Sequence, residues 1–249
     1  MDSEIEYLKK LVNGVKYQKE KFDLYLNSEK KIEGASGIET NFFEISSFYK
    51  SIIDLDYKIK ISLLEAIKLA YSEEIEEEFS WDSNNKVEAK CYYYIENTVF
   101  RTVILWDLLA QIYNMIYSLK IPLDKIQYKK LFKNNKKLFN VDNINKYINE
   151  IDKTSGNDEW KGNHKFISKY RNTMTHRYSP NLTLYSEECF NFKASPRFVL
   201  KRVIEEYSKV SNFIIQIINS EDVREIKEKE KKSLENIYPS IFYIGEDLI

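Results

Sequence analysis

The residues in this chain best suited to move a proton or hold an anion are crowded into one short stretch. Its two histidines, His164 and His176, lie twelve positions apart, and Arg171, Asn172, Arg177 and Tyr178 fall between them or just beyond. Histidine titrates near neutrality, so it can take or give a proton at ordinary pH. Arginine keeps its charge and forks onto phosphate oxygens, which suits it to hold a phosphate as charge builds during displacement. Asparagine donates to a phosphate or orients an imidazole. These three residue types supply what cleavage of RNA by its own 2′-hydroxyl requires, and none of them calls for a metal. The rest of the chain offers little competing chemistry. It has no Gly-rich phosphate loop and no His-Glu-x-x-His. Cys91 and Cys189 are far apart and fit no zinc spacing, so they read as free thiols of a reducing compartment. The run Glu73, Glu74, Glu76, Glu77, Glu78 reads as a solvated helix end. No metal and no cofactor is expected.

Spacing decides how the candidate residues can work together. A helix is expected over 159–178, stopped by Pro180. On it, Asn172 and His176 are i, i+4 and share a face. Arg171 and His176 are i, i+5 and diverge by about 140°. One copy does not easily close both around one phosphate. Two copies facing each other across a two-fold axis would line one cleft with two arginines and two histidines. Each residue also has a plainer reading. Arg171 could cap a helix end or pair with an acid, and His176 could be a surface histidine favoured by the helix dipole. Tyr178 could be packing, and His164 reads as a surface residue. The net charge of −1 provides no global pull on nucleic acid, so RNA contact would need a local patch. Lys165, Lys169, Arg177, Arg197, Lys201 and Arg202 are the residues for one, whereas Lys129, Lys130, Lys133, Lys136 and Lys137 read as a solvated face.

The elements that must position this segment are helical. Only 6 Gly and 4 Pro punctuate the chain, which means long uninterrupted elements and argues against a sandwich or barrel. Ile5, Leu8, Val12 and Val15 place a helix over 3–27. A loop follows, and a second helical region covers 41–79, with a kink expected near Asp54. Residues 86–120 are apolar nearly all round and so should be the central buried helix. Its Asp107, Gln111, Asn114 and Ser118 share one face, read as a narrow solvent stripe in preference to the lining of a site or a dimer seam. Short helices are expected over 124–139 and 142–153. Loose alternation over 181–195 allows a small β-hairpin. Ser195-Pro196 should start a final core helix over 197–220. Residues 222–236 are highly charged, and 237–249 should dock back as an apolar tail. In domain terms this is an N-terminal helix and loop (1–40), a helical core (41–220), and a charged helix with a docking tail (221–249). No secretory signal or membrane span is expected, which suggests a cytoplasmic protein.

Arg171-Asn172-Thr173-Met174-Thr175-His176 resembles the signature of the HEPN family: an arginine, a polar residue next to it, and a histidine after four to six residues. With Tyr178 it also resembles the longer R-x4-H-x-Y form of HEPN toxins paired with nucleotidyltransferase antitoxins. The resemblance implies an all-α bundle, here with an additional N-terminal helix. It implies a homodimer and metal-independent endoribonuclease activity of toxin or defence type, with Arg171, Asn172 and His176 as catalytic residues. It also implies RNA as substrate and a nucleotidyltransferase antitoxin as partner, with Tyr178 as the position such an antitoxin would modify. A HEPN module that binds RNA or a partner without cleaving is the alternative, and a helical scaffold with a coincidental motif is a third reading.

Overall fold

The computed structural model describes residues 2–18, 41–75, 85–150, 162–176, 179–181, 184–185, 190–191 and 193–237. Helices dominate them. Helix α1 (Asp2–Gly14) uses Leu8 and Val12 to bury one face, and Val15 continues the contact beyond the helix end. It stops at Gly14, short of the expected residue 27; residues 15–18 are irregular, and the rest of that expected helix lies outside the described residues. Helix α2 (Asn41–Ala70) runs unbroken through Asp54, where a kink was expected. Lys58 donates to Asp54 across one turn at 2.6 Å, and no proline interrupts the ladder, so nothing there demands a bend. The chain then leaves the helix, so Glu73 and Glu74 sit exposed in a turn; Glu76, Glu77 and Glu78 lie outside the described residues.

Helix α3 (Lys86–Ile116) is the centre of the molecule. Asn85 caps it, its side-chain oxygen accepting from the Glu88 N–H at 2.7 Å. Among the described residues it is the one helix long and apolar enough to cross a bilayer, but 67% of its most apolar stretch is buried inside the bundle, as befits a core helix. It packs against α2 on one side and against α7 (Pro196–Ile218) on another, and α1 packs across α2 and α7. Ser195 precedes α7 with Pro196 at its first turn, as expected, though the serine side chain makes no cap hydrogen bond. Helix α8 (Glu221–Ile237) follows; the apolar tail beyond it lies outside the described residues.

Between α3 and α7 the chain makes smaller elements. After α3, Asn114 clasps the turn, donating to the Ile121 carbonyl and accepting from its N–H, both at 3.0 Å. That use of Asn114 corrects the solvent-stripe reading, because the residue is buried. A 3-10 turn (Leu123–Lys125) leads into α4 (Tyr128–Asn134), much shorter than the expected 124–139, and then α5 (Val141–Asn149). Helix α6 (Asn163–His176) packs on α7, α3 and α5. Strands β1 (Leu184–Tyr185) and β2 (Phe190–Asn191) pair antiparallel, Leu184 opposite Asn191 and Tyr185 opposite Phe190, within the range where a small hairpin was expected. The fold is an all-α bundle, with one two-residue ribbon among the described residues.

Candidate active site

Helix α6 begins where Gly162 takes a left-handed turn, φ 74°, a conformation glycine adopts without a Cβ penalty. Its inward face carries Asn163, His164, Ile167 and Tyr170, all buried, at helical spacing. Near the far end, Tyr170 is tied through its hydroxyl to the Asn181 side chain, which in turn donates to Glu96 on α3. These bonds pin the segment after α6 to the central helix and set the direction of the motif end.

Rotating around α6 from its buried face brings Ser168, Arg171 and Asn172 to one wall of a cleft of about 290 Å³. Val103 and Asp107 of α3 form another wall, and Ile126, Gln127, Tyr128 and Lys129 close it from the start of α4. Arg171 is half-buried, and its Nη1 donates to the Asn172 Oδ1 at 2.9 Å. Asn172 therefore holds the guanidinium, and because the helix is continuous to His176 its position stays on the face that its spacing gave it. Thr175 accompanies the pair by donating to the Arg171 carbonyl at 2.8 Å.

The cleft's charges are mixed but lean positive. Burial holds the Asp107 carboxyl above the ordinary carboxylate range, and the Arg171 charge works against that rise. Burial likewise draws the Lys129 ammonium below the ordinary lysine range; Glu206 opposes this, while Arg171 and Lys165 add to it. One earlier reading is corrected here: Asp107 lines the cleft and does not belong to a bland solvent stripe. Lys129 lines the cleft as well, while staying exposed like the other lysines of its run, as expected.

The basic patch expected from sequence shrinks. Arg197 is buried, donating to the Ala70 carbonyl at 2.7 Å and stacking on Tyr71. Arg202 is 2% exposed, its guanidinium carbon 4.7 Å from the Phe166 ring centre. Lys201 is paired with Glu4 of α1. Those three cations are structural, and Lys165 and Lys169 are left exposed beside the cleft. Arg177 lies outside the described residues.

His176 is the last residue of α6, and the helix is continuous from Arg171 to it. The two positions therefore stand about 140° apart around the axis. Tyr178 lies outside the described residues, as does Cys189. Cys91 is buried against the Ala66 carbonyl at 3.6 Å, and burial pushes its thiol up to about 12. Among the described residues no group of three or more His, Cys, Asp or Glu side chains could hold a metal ion.

The largest departure from sequence reasoning is His164. Read as a surface residue, it is 2% exposed. Its Nδ1 lies 2.7 Å from Glu206 Oε1, and its Nε2 lies 3.0 Å from the Tyr128 hydroxyl and 3.3 Å from Ser168 Oγ. Glu206 also accepts from Trp106 Nε1 at 2.8 Å, the Tyr147 hydroxyl at 2.7 Å and Asn163 Nδ2 at 3.2 Å. One signal of this network was present in the chain: Glu206 falls at helical spacing on the apolar face of α7, with Val199, Val203, Val210 and Phe213. A charged residue on a core face needs partners.

A family model for Cthe2314-like HEPN matches residues 36–241. No curated protein and no solved structure matches the chain.

Proposed function

Because the chain belongs to the Cthe2314-like HEPN family, whose domain is of nuclease or RNA-binding type, we propose that it is a metal-independent endoribonuclease of toxin or defence type, working as a homodimer in the cytoplasm. The observation that carries this reading is Arg171 set into a cleft and held there by Asn172, with Lys129 on the opposite lip. A phosphodiester entering the cleft meets two cations, the Lys129 ammonium and the Arg171 guanidinium fork that Asn172 holds. The 2′-hydroxyl of the preceding ribose attacks phosphorus, the bond to the 5′-oxygen breaks, and a 2′,3′-cyclic phosphate results. Arg171 stabilises the charge on the non-bridging oxygens. His176 transfers a proton to or from a reacting oxygen.

The dimer part of the proposal is supported by surface as well as by the angular separation of Arg171 and His176. Tyr93, Phe100 and Ile104 are 61%, 39% and 44% exposed on α3. Their spacing puts them on the same side as Val103 and Asp107, so an apolar stripe runs up to the cleft. A second copy seated on it would bring a second motif to the same place. A nucleotidyltransferase antitoxin acting on Tyr178 is the partner proposed for such a toxin.

The test is cleavage of single-stranded RNA in the presence of a chelator, with end-group analysis for the cyclic phosphate or its hydrolysis product. Activity lost on chelation would end the metal-independent reading. RNA binding with no cleavage would leave the non-catalytic module as the function. Mixing inactive Arg171→Ala with inactive His176→Ala protein should restore part of the activity, since a mixed dimer keeps one composite site with both groups. No recovery, in subunits shown to exchange, would remove the composite site.

A further inference from the structure

We propose that the Tyr128 hydroxyl, backed by the buried His164–Glu206 pair, is the base that takes the 2′-hydroxyl proton at the Arg171 cleft, leaving His176 to protonate the departing oxygen. This rests on the ribonuclease reading. It assigns a proton path that the Arg–His motif alone does not contain.

The geometry is a chain from solvent to core. Tyr128 is half-buried and lines the cleft together with Arg171 and Lys129. Its hydroxyl lies 3.0 Å from His164 Nε2, and His164 Nδ1 lies 2.7 Å from Glu206. A carboxylate only accepts, so the Nδ1 proton points to Glu206 and Nε2 is free to accept from Tyr128. Trp106, Tyr147 and Asn163 hold the carboxylate from three other elements, so it cannot turn away. The rings are fixed as well. Trp106 stacks on Tyr128 with centres 5.5 Å apart and meets His164 edge-on at 5.0 Å. A purely packing histidine needs none of this; its outer nitrogen would be satisfied inside the core, not by a hydroxyl at the rim of a cleft.

The step balances without any added reagent. The 2′ O–H bond breaks and its proton passes to the Tyr128 oxygen, while the Tyr128 proton passes to His164 Nε2. The 2′-oxygen forms its bond to phosphorus, the bond to the 5′-oxygen breaks, and that oxygen takes a proton from His176. His164 ends as an imidazolium stabilised by Glu206, the arrangement by which an acid–histidine pair serves a hydroxyl elsewhere. Release of the cyclic phosphate lets solvent take the proton back through Tyr128 and reload His176. Burial keeps the Tyr128 phenol above its ordinary value, so the phenol passes protons along and does not rest as a phenolate. The groups facing His164 are Glu206 from α7, Tyr147 from α5 and Tyr128 from α4, with uncharged Trp106 from α3 and Ser168 from α6.

The experiment uses full-length wild type, Tyr128→Phe and His176→Ala on two substrates, single-stranded RNA and uridine 3′-(4-nitrophenyl phosphate). The second has a leaving group that departs without a proton, so it reports the base and not the acid. Tyr128→Phe, which keeps the ring on Trp106, should lose about 10²–10⁴-fold on both substrates. His176→Ala should lose as much on RNA and largely recover on the aryl ester. Tyr128→Phe cutting the ester at the wild-type rate overturns the proposal, as does a loss on the ester confined to Ser168→Ala, which would place the base there. Wild type that cuts neither substrate fails the ribonuclease reading itself, a different result from a spared Tyr128→Phe. A second readout is the split between kcat and KM on the aryl ester. Glu206→Gln keeps the shape of the side chain and removes the anion behind His164, so kcat should fall with KM unchanged; an unchanged kcat in folded Glu206→Gln argues for a purely structural role and overturns the relay.

Discussion

The two ends of helix α6 carry one histidine each, and the helix is built differently towards those ends. His176 is its last residue, five positions beyond an arginine that faces a cleft. His164 stands in the first turn, 2% exposed and enclosed by Glu206, Tyr128 and Trp106. At the motif end Arg171 is half-buried and Asn172 exposed, whereas at the base Asn163 and His164 are buried in a hydrogen-bonded network. The difference teaches that a short motif marks a cleft, while the buried polar network that backs the cleft is set elsewhere on the same helix; on the proposed reading, the first meets phosphate and the second handles its protons.

That comparison can be broken most directly at the motif end. His176→Ala should lower RNA cleavage by about 10²–10⁴-fold and Arg171→Ala by about 10²–10³-fold, by analogy with a lost oxyanion donor. Both should melt as wild type does, because Arg171 is only half-buried and bonds to nothing deeper than Asn172. A large fall in melting temperature for Arg171→Ala would mean the motif end is part of the core after all. At the base the loss should be in stability. Glu206→Ala strands the Trp106 and Tyr147 donors and leaves His164 without its anion, and removing one partner of a buried pair typically costs about 3–5 kcal/mol. Urea titration measures it. A cost under about 1 kcal/mol, the level of an ordinary hydrogen bond, would show that water satisfies the network once the carboxylate has gone.

Smaller changes sharpen the contrast. Asn172→Ala frees the Arg171 guanidinium at the price of a single surface-exposed hydrogen bond. About 0.5–1.5 kcal/mol is expected, or up to roughly tenfold in kcat/KM, with stability unchanged. Asp107→Asn should have the least effect, and its sign is informative. An acid held above its ordinary range in the fold binds its proton more tightly folded than unfolded. Its contribution is therefore present at low pH and declines as pH rises from the ordinary value of 3.8 through the raised folded value. Asparagine removes that decline, so the urea midpoint of the variant should fall less than wild type as pH is raised over that window. The same change deletes a negative charge beside Arg171. RNA should bind a few-fold more tightly, with a salt slope steeper by no more than about 0.7, one counterion on a single strand. Weaker RNA binding would mean that Asp107 positions Arg171 and does not merely oppose it.

Much of this protein could be read from residue order alone. The few glycines and prolines and the i, i+4 apolar stripes placed α2, α3, α6 and α7 within a few residues at most boundaries, because those signals are local and each helix announces its own face. The overestimate of α4 has the same root. Lysines at 129–137 continue a helical pattern, but Asn135 departs from helical dihedrals and the chain turns before α5. The arginine, asparagine and histidine of the motif were likewise local, six consecutive residues. What only the tertiary structure decided was which polar groups meet. His164 finds Glu206 42 positions away and Tyr128 36 positions away, and Asp107 finds the Arg171 cleft from another helix altogether. Periodicity reports which side of a helix is buried. It cannot report which donor and acceptor from distant segments share the same cavity, because that depends on how five helices pack, and a buried carboxylate is stable only after those partners have arrived.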